Sequence, residues 1–390
     1  MSSSLDPAAA CGRVFVALQQ LWCPFAVVPT YERSIMTTST DLPAGSRPAV
    51  LDGLSEALHQ VAPGRPARIL TGDRPTGNLH VGHYFGSLRN RVALQDAGAA
   101  LMVVIADYQV ITDREDVGPL RQRVLSLVAD YLACGIDPDS AVIFPHSAVP
   151  ELNQLMLPFL SLVSDAELRR SPTVRSELLD SGRPLSALLL TYPVHQAADI
   201  LFCRADLVPV GRDQLPHLEV SRTIARRFND RYGALFTEPT ALLSEVPLLL
   251  GTDGRKMSKS RGNTIALGDS EDATAAAIRA ALTDSERHIS YQPDRRPGVS
   301  ALLEMGAQCL ATDPVTLAAD IGDGGAGRLK KVVTAALNEQ LRPIRMRRKD
   351  LLGAPDLLIG VLIAGIAAAG DMARATLAAV RTAMQMDYLG

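Results

Sequence analysis

Cysteine is sparse in this chain, and its few copies lie far apart. Five cysteines occur among 390 residues, and none lies in a CxxC motif or in the Cys/His spacing of a zinc site. Disulfide-rich secreted domains and structural zinc sites depend on such closely spaced groups. The sequence therefore argues against both classes and predicts a protein of the reducing cytoplasm. The five are Cys11, Cys23, Cys134, Cys203 and Cys309.

Long apolar runs and a strong net charge are also lacking. A membrane-spanning helix needs roughly 20 apolar residues, and the stretch from Leu357 to Ala369 is shorter and typical of a buried helix. The formal net charge is only -3, so RNA binding would require a local basic face. With 47% hydrophobic and 21% charged residues, the composition predicts a globular protein with no membrane partner.

Three segments differ in their sequence pattern. Residues 1–65 include a Ser/Thr/Pro-rich stretch and predict a poorly ordered N-terminal extension. Residues 66–265 alternate short apolar runs with longer amphipathic segments, which predicts parallel strands connected by helices. Residues 266–390 keep only helical spacing, so a helical domain is expected there. The fold class is therefore α/β, with ligands expected at the carboxyl ends of the strands.

The first candidate site lies where the first expected strand runs into a helix. It begins at Gly72 and ends with His80-Val-Gly82-His83. Glycines let a nucleotide approach the backbone, and a helix N-terminus offers unpaired N–H groups to phosphate. His80 and His83 are three residues apart, so both can donate to one anionic group. Taken alone, the segment fits two histidines that happen to cap a helix equally well.

The second candidate site is the pentapeptide Lys256-Met-Ser-Lys259-Ser260, which lies in a glycine-rich segment. A solvated charge run is the ordinary interpretation of such a segment. Only five of the 39 Lys and Arg residues are lysines, however, and two of them lie here. Lysine carries a compact point charge, unlike the planar guanidinium of arginine. The use of lysine rather than arginine in this pentapeptide predicts a mobile loop that neutralises charge as a phosphate group leaves.

Together the two segments resemble the paired HIGH and KMSKS signatures of class I aminoacyl-tRNA synthetases. A chance KMSKS in a chain of this size is on the order of one in ten thousand, and HxGH nucleotidyltransferases share only the first signature. Between them, LTYPVHQAADIL from Leu190 and DLVPVGRDQ from Asp206 resemble the tryptophanyl-tRNA synthetases. The resemblance continues at Thr283-Asp-Ser-Glu286 and runs from about Ala67 to the C-terminus.

The resemblance implies a Rossmann-like catalytic domain at 66–265 and a helical tRNA anticodon-binding domain at 266–390. It implies that tryptophan reacts with Mg2+ and ATP to give tryptophanyl-adenylate and pyrophosphate, and that tRNA(Trp) then takes the acyl group. The expected cofactors are ATP and Mg2+. The expected partners are L-tryptophan, tRNA(Trp) and a second copy of the chain in a cytoplasmic homodimer.

The resemblance also assigns roles to particular residues. The catalytic group, which stabilises the α-phosphate and the leaving pyrophosphate, is His80, His83, Lys256, Lys259 and Arg175. The expected ATP contacts are Gly72, Arg74, Thr76, Gly82, His83, Gly211, Asp213, Met257 and Ser258. The expected tryptophan pocket comprises Leu70, Gly72, Ala106, Gln109, Tyr192, Gln196, Asp199, Ile200, Val208, Val210 and Gln214. No protein ligand to Mg2+ is assigned.

Residue spacing in the expected pocket agrees with this assignment. Tyr192, Gln196 and Asp199 lie at i, i+4 and i+7, so on a helix they share one face. A carboxylate there can accept a hydrogen bond from an indole N–H, which only donates. Without the resemblance, an aspartate that caps a neighbouring turn is the more ordinary interpretation. The resemblance places Asp199 and Gln196 at the indole ring, and Tyr192 and Gln214 at the substrate ammonium group.

Two rival functions stay open, because the tyrosyl enzymes share both signatures and a non-aminoacylating paralogue could keep them for binding or regulation. Several residues depart from the family pattern, and they put affinity for indole analogues in question: Arg74, Gln109, Arg175, Gln196 and Arg212. A basic cluster in the helical part is interpreted either as an RNA contact or as a solvated helix face: Arg342, Arg345, Arg347, Arg348 and Lys349.

Overall fold

The structure is a computed structural model, and it describes residues 54–112, 116–181, 184–211, 215–243, 249–257 and 261–388. Five parallel strands form one sheet in the order β3-β2-β1-β4-β5. They are β1 (Arg68–Asp73), β2 (Ala100–Ile105), β3 (Ala141–Pro145), β4 (Leu207–Val210) and β5 (Thr240–Leu243). The strand order reverses beside β1, and such a switch point opens a crevice for ligands at the carboxyl ends of the strands.

Helices cover the sheet and fill the chain beyond it. Before and between the strands lie α1 (Leu54–Val61), α2 (Val81–His83), α3 (Arg89–Asp96), α4 (Leu120–Ala133), α5 (Glu151–Leu160), α6 (Asp165–Arg170), α7 (Pro172–Ser181), α8 (Ala187–Leu201) and α9 (Leu215–Tyr232). After the sheet come α10 (Glu271–Ala280), α11 (Pro297–Leu310), α12 (Pro314–Ile321), α13 (Gly325–Leu352) and α14 (Pro355–Ala383). The expected α/β architecture with a helical C-terminal part is confirmed.

The two faces of the sheet belong to two hydrophobic layers, as alternation along each strand requires. Ile69 of β1 and Leu101 of β2 face one layer, which also contains Leu302 of α11 and Leu337 of α13. Leu70 faces the other layer, with residues of α8 and α9. The first layer runs without interruption across the expected boundary at residue 265. The C-terminal helices and the sheet therefore share one core.

The last helix, α14, is long and apolar enough by length and composition to cross a membrane. Its packing is nevertheless that of a core helix. Gly365 lies so close to the carbonyl of Ile143 in β3 that a Cβ would overlap it, and Leu358 and Ala369 are buried. The expectation of a buried helix at Leu357 to Ala369 is confirmed.

The expected disordered extension is wrong for its last part. Residues 54–61 form α1, and Leu58 and Ala62 are buried in the core. Arg65 donates two hydrogen bonds to Asp206, each 2.7 Å long. The reason is that the segment from Leu54 to Val61 is amphipathic, a local pattern that the Ser/Thr/Pro content upstream obscured. Residues 1–53 lie outside the described residues.

The basic cluster of α13 is largely engaged within the protein. Arg347 donates to the Ala133 carbonyl at 2.6 Å, and Arg348 pairs with buried Asp130 at 2.5 Å. Arg345 donates to Thr274 at 2.7 Å. The guanidinium groups of these three arginines tie α13 to α4 and α10, and an RNA contact through them stays a prediction.

Candidate active site

The end of β1 begins the site. A Cβ on Gly72 would overlap the Val104 carbonyl of β2, so the neighbouring strand alone requires glycine at this position. The next residue, Asp73, accepts hydrogen bonds from Arg91 at 2.6 Å and Tyr131 at 2.7 Å. Burial by itself disfavours the charged form of Asp73, but Arg91 outweighs it and lowers the pKa of that carboxyl. An anchored carboxylate therefore fixes the point at which the chain leaves the sheet.

The loop after β1 leads from Asp73 to the first histidine. Gly77 has φ +142, a conformation that favours glycine. Arg74 forms an ion pair with Glu177 of α7, and the Thr76 N–H donates to the Arg74 carbonyl at 2.8 Å. Arg74, predicted to contact ATP, has a protein partner here.

His80 and His83 are brought together, as predicted. Their ring centroids lie 3.8 Å apart, and the His80 backbone N–H donates to His83 Nδ1 at 3.2 Å. The Val81 N–H donates to the Ile265 carbonyl at 3.0 Å, so the segment is paired with chain that follows the lysine loop. A π-helical turn at Tyr84–Leu88 connects α2 to α3. Such turns often occur at functional sites.

The two signature segments contact each other. A Cβ on Gly82 would lie 3.1 Å from Met257 Sδ and 3.0 Å from His80 Nδ1. Met257 is buried, whereas Lys256 is exposed. The lysine loop therefore lies over the first turn after β1, although the two segments are far apart in sequence.

Asn263 orders the base of the lysine loop, and sequence reasoning missed it. Its side-chain amide donates to Asp253 at 2.7 Å and to the Lys256 carbonyl at 3.1 Å. The Thr252 N–H donates to the Asn263 carbonyl at 3.0 Å. The signal was present, since a buried asparagine beside a glycine-rich loop is a common backbone anchor. Ser258 and Lys259 lie outside the described residues.

Helix α8 carries the expected amino-acid pocket. It is continuous over Ala187–Leu201, so Tyr192, Gln196 and Asp199 share one face as predicted. The Tyr192 hydroxyl lies 3.0 Å from His217 Nε2 of α9. Burial and the neighbouring Glu177 carboxylate raise the pKa of the Tyr192 phenol. Tyr192 is therefore a neutral hydroxyl with a fixed partner, and His217 was missed by sequence reasoning.

Asp199 is only 2% exposed and has a partner that the sequence did not reveal. His146 is fully buried, and its Nε2 lies 2.7 Å from Asp199 Oδ2. Burial disfavours protonation of His146, but Asp199 and Asp107 outweigh it and raise its pKa. His195 packs against His146 with ring centroids 4.7 Å apart, and burial lowers its pKa. The pocket thus contains a buried polar cluster of His146, His195 and Asp199.

The remaining expected pocket and ATP-contact residues differ in their exposure. Leu70, Ala106, Ile200 and Val208 are buried, and Val210 packs against the same layer as Leu70. Gln109 is half-buried on the turn Tyr108–Ile111. Gly211 is exposed. Asp213 and Gln214 lie outside the described residues.

Arg175 has a hydrogen-bond partner outside the expected catalytic group. It is exposed on α7, and its Nε donates to the Arg169 carbonyl at 3.2 Å. Within the described part of the chain, this hydrogen bond does not connect Arg175 to His80, His83 or Lys256. Its expected place beside pyrophosphate stays a prediction.

Comparison with known proteins points to one family. Residues 62–342 match the family described as tRNA synthetases class I (W and Y). The tryptophan–tRNA ligase of Treponema pallidum (strain Nichols) is 43% identical over 327 residues, which cover 81% of this chain and 96% of that protein. The tryptophan–tRNA ligase of Thermotoga maritima is 40% identical over 329 residues, 82% of this chain and 100% of that protein.

Solved structures agree with the sequence comparison. The tryptophanyl-tRNA synthetase from Campylobacter jejuni, complexed with ADP and tryptophan, has a TM-score of 0.71 at 30% identity. The match covers 82% of this chain and 99% of that one. The tyrosyl-tRNA synthetase from Archaeoglobus fulgidus has a TM-score of 0.61 at 22% identity, over 75% of this chain and 94% of that one, and shares the fold.

Proposed function

Since the chain belongs to the class I tRNA synthetases of tryptophan and tyrosine, we propose that it ligates tryptophan to tRNA(Trp) through a tryptophanyl-adenylate. The observation that carries this choice is similarity along nearly the whole length of tryptophan–tRNA ligases at 37–43% identity. The tyrosyl structures match at only 20–22%. Asp199, a buried acceptor in an apolar wall, supports the same choice.

Adenylate formation needs the tryptophan carboxylate to attack the α-phosphorus of ATP while pyrophosphate leaves. Positioning and charge neutralisation suffice for this step, and no side chain acts as nucleophile. His80 and His83, whose ring centroids lie 3.8 Å apart, are proposed to donate to the α-phosphate. Lys256 and Lys259 are proposed to neutralise the leaving pyrophosphate. The contact of Gly82 with Met257 supports this arrangement, because it seats the lysine loop above the two histidines.

ATP is proposed to lie along the loop after β1, against Gly72, Thr76 and Gly82. Arg74 would have to exchange its ion pair with Glu177 for a phosphate. Arg175 is proposed to move toward pyrophosphate from its exposed place on α7. Further ATP contacts are proposed at Gly211, Asp213, Met257 and Ser258.

Tryptophan is proposed to bind along the face of α8 that carries Tyr192, Gln196 and Asp199. Its ammonium group meets Tyr192 and Gln214, and its indole ring meets Gln196 and Asp199. The apolar wall is formed by Leu70, Ala106, Ile200, Val208 and Val210, with Gln109 at one edge. An indole N–H only donates, so an aspartate is a suitable partner.

Mg2+ does not fit the one cluster of metal-ligating side chains among the described residues. His146, His195 and Asp199 have ligand atoms within 4.8 Å of one another. Two imidazoles suit transition metals, whereas Mg2+ prefers six oxygen ligands in octahedral geometry. We therefore assign Mg2+ no protein ligand here, and it would enter with the phosphates of ATP and their bound water.

The partners follow the same premise. We propose that 66–265 forms the catalytic domain and 266–390 the anticodon-binding domain, that two chains form a homodimer, and that the enzyme works in the cytoplasm. Arg342 and Lys349 of α13 are exposed and can meet RNA. Their neighbours Arg345, Arg347 and Arg348 form contacts within the fold.

Amino-acid-dependent ATP–pyrophosphate exchange tests the proposal. Tryptophan is expected to drive exchange, with tyrosine and phenylalanine weaker by roughly 10⁴ to 10⁵, because a buried acceptor left unpaired is costly. Asp199→Ala should raise KM for tryptophan and relax discrimination against phenylalanine, with KM for ATP unchanged. Asp371→Ala, at an exposed ion pair on α14, is the matched control. Exchange driven by tyrosine would establish the tyrosyl function instead. If no amino acid drives exchange, the chain is a paralogue without aminoacylation activity.

A further inference from the structure

A buried histidine lies directly behind the proposed indole acceptor. His146 follows β3 at the carboxyl edge of the sheet, on the turn His146–Ala148. It is fully buried, and its Nε2 lies 2.7 Å from Asp199 Oδ2 of α8. The proposed reaction gives His146 no role, although a buried imidazole beside a carboxylate needs a reason.

The turn that carries His146 is fastened to the neighbouring strand end. The Ser147 backbone N–H donates to Asp107 Oδ1 at 3.1 Å, and the Ser147 hydroxyl donates to Asp107 Oδ2. Asp107 also accepts from the Tyr108 N–H at 3.0 Å, which begins the turn bearing Gln109. His146 is thus held on a rigid base formed by the ends of β2 and β3.

The two oxygens of Asp199 differ in their surroundings. Oδ2 contacts His146, whereas Oδ1 is buried and has no hydrogen-bond partner among the described residues. Leaving a buried acceptor unpaired is unfavourable. A ligand that places one N–H donor at Oδ1 recovers this energy, and an indole supplies that donor.

A metal ion is the competing explanation for the cluster, and the geometry disfavours it. Two ligands of one tetrahedral ion, each bonded at about 2.0–2.1 Å, lie roughly 3.3 Å apart. Nε2 of His146 and Oδ2 of Asp199 are separated by only 2.7 Å. That distance is typical of a close ion-pair contact between a protonated imidazole and a carboxylate.

We infer that His146 is a positioning residue for tryptophan recognition: it holds Asp199 through Oδ2, so that Oδ1 faces the pocket and accepts the indole N–H. The inference rests on the proposed function, because it takes the indole as the occupant. Asp107, Asp199 and His195 are the charged or titratable groups around the imidazole. Burial opposes protonation of His146, but the two aspartates outweigh it and raise its pKa, which favours the protonated imidazole beside Asp199.

The test compares two replacements of similar size in the full-length chain. His146→Gln keeps an N–H donor toward Asp199, and His146→Met removes it. Exchange kinetics are measured with tryptophan and with its isostere in which sulfur replaces the indole N–H. His288→Met, at an exposed histidine of the C-terminal part, is the control.

In wild type, tryptophan should be preferred strongly over the sulfur isostere. His146→Met should raise KM for tryptophan about 10- to 100-fold, which corresponds to the loss of one buried hydrogen bond, and leave KM for the isostere and for ATP unchanged. His146→Gln should restore most of the preference. A purely structural role would instead change both amino acids together.

An unchanged preference in a folded His146→Met variant overturns the inference while wild-type exchange with tryptophan keeps the proposed function. Should His146→Met not fold, His146→Asn replaces it, because its shorter amide withdraws the donor from Asp199. An unchanged preference there overturns the inference equally. If wild type does not activate tryptophan at all, the proposed function fails and the inference fails with it.

Discussion

Gly82 leaves the space that the sulfur of Met257 occupies. A Cβ on Gly82 would lie 3.1 Å from Met257 Sδ, so the first turn after β1 and the lysine loop pack against each other without room for a side chain between them. The glycine of the first signature therefore has two functions. It is proposed to allow a nucleotide to approach, and it packs against the second signature.

Gly82→Ala should separate these two segments. The added methyl is tight against both Met257 and His80, so the lysine loop must shift. We expect exchange to fall about tenfold or more, which is ~1.4 kcal/mol of transition-state stabilisation, with little change in KM for tryptophan. Gly86→Ala is the matched control, because no heavy atom lies within 4 Å of a Cβ there. Equal rates for the two variants would refute the packing role, and added Met257→Ala should recover part of the loss.

Lys259→Ala should lower kcat for adenylate formation more than it changes KM for ATP. Its charge is used as pyrophosphate separates, so it stabilises the transition state more than the ground state. The loss should be on the order of 10² to 10³. Lys331→Ala, at an exposed lysine of α13, should have no effect on pre-steady-state adenylate formation. A wild-type rate in the Lys259 variant would remove this residue from the mechanism.

Arg348→Ala should destabilise the protein strongly. It removes the ion pair that Arg348 forms with buried Asp130 at 2.5 Å, and breaking a buried ion pair costs about 3–5 kcal/mol. Asp130 also accepts from the Leu79 N–H at 3.4 Å, next to His80. Activity should therefore fall as well. Urea unfolding measures the loss.

The control for Arg348→Ala is Arg374→Ala, which breaks an exposed pair with Asp371 on α14. An exposed pair within one helix stabilises by about 0.2–0.5 kcal/mol. Equal losses of stability in the two variants would show that the ion pair between α13 and α4 has no special role.

The contribution of His146 to stability should decrease as pH rises. Its pKa is raised in the folded protein, so the native state binds the proton more tightly than the unfolded chain. This contribution is complete below the unfolded value of about 6.5 and is lost as pH rises through the folded pKa. The stability advantage of wild type over His146→Gln, measured by urea unfolding, should therefore shrink as pH rises above about 6.5.

His195 supplies the opposite sign for comparison. Burial lowers its pKa, so the folded state resists protonation and loses stability as pH falls below about 6.5. The stability of wild type relative to His195→Gln should therefore rise with pH. A pH-independent difference for His146→Gln would show that His146 does not carry the proton assigned to it.

Local patterns in the sequence were sufficient for the sheet and for the two signatures. The apolar runs of β1 and β2 predict buried parallel strands, because both faces of such strands are covered. The spacing of His80 and His83 places both on one turn, and their rings lie 3.8 Å apart. Tyr192 and Asp199 share a face of α8 for the same reason.

Partners that are distant in the chain could not be predicted in this way. In the sequence Asp199 has no evident partner, and only the position of β3 in the fold places His146 beside it. Arg348 reads as an exposed cation until α13 packs on α4 and meets Asp130. Each of these depends on tertiary packing, on which sequence spacing carries no information.

Aminoacylation of purified tRNA transcripts tests directly whether the chain ligates tryptophan to tRNA(Trp). Labelled tryptophan and labelled tyrosine are offered with ATP to tRNA(Trp) and to tRNA(Tyr), with wild type and Asp199→Ala measured side by side. We expect wild type to charge tRNA(Trp) with tryptophan and to leave tRNA(Tyr) uncharged. We expect Asp199→Ala to lose charging of tRNA(Trp) at low tryptophan concentration. Charging of tRNA(Tyr) with tyrosine, or failure to charge tRNA(Trp) despite active adenylate formation, would contradict the proposed function.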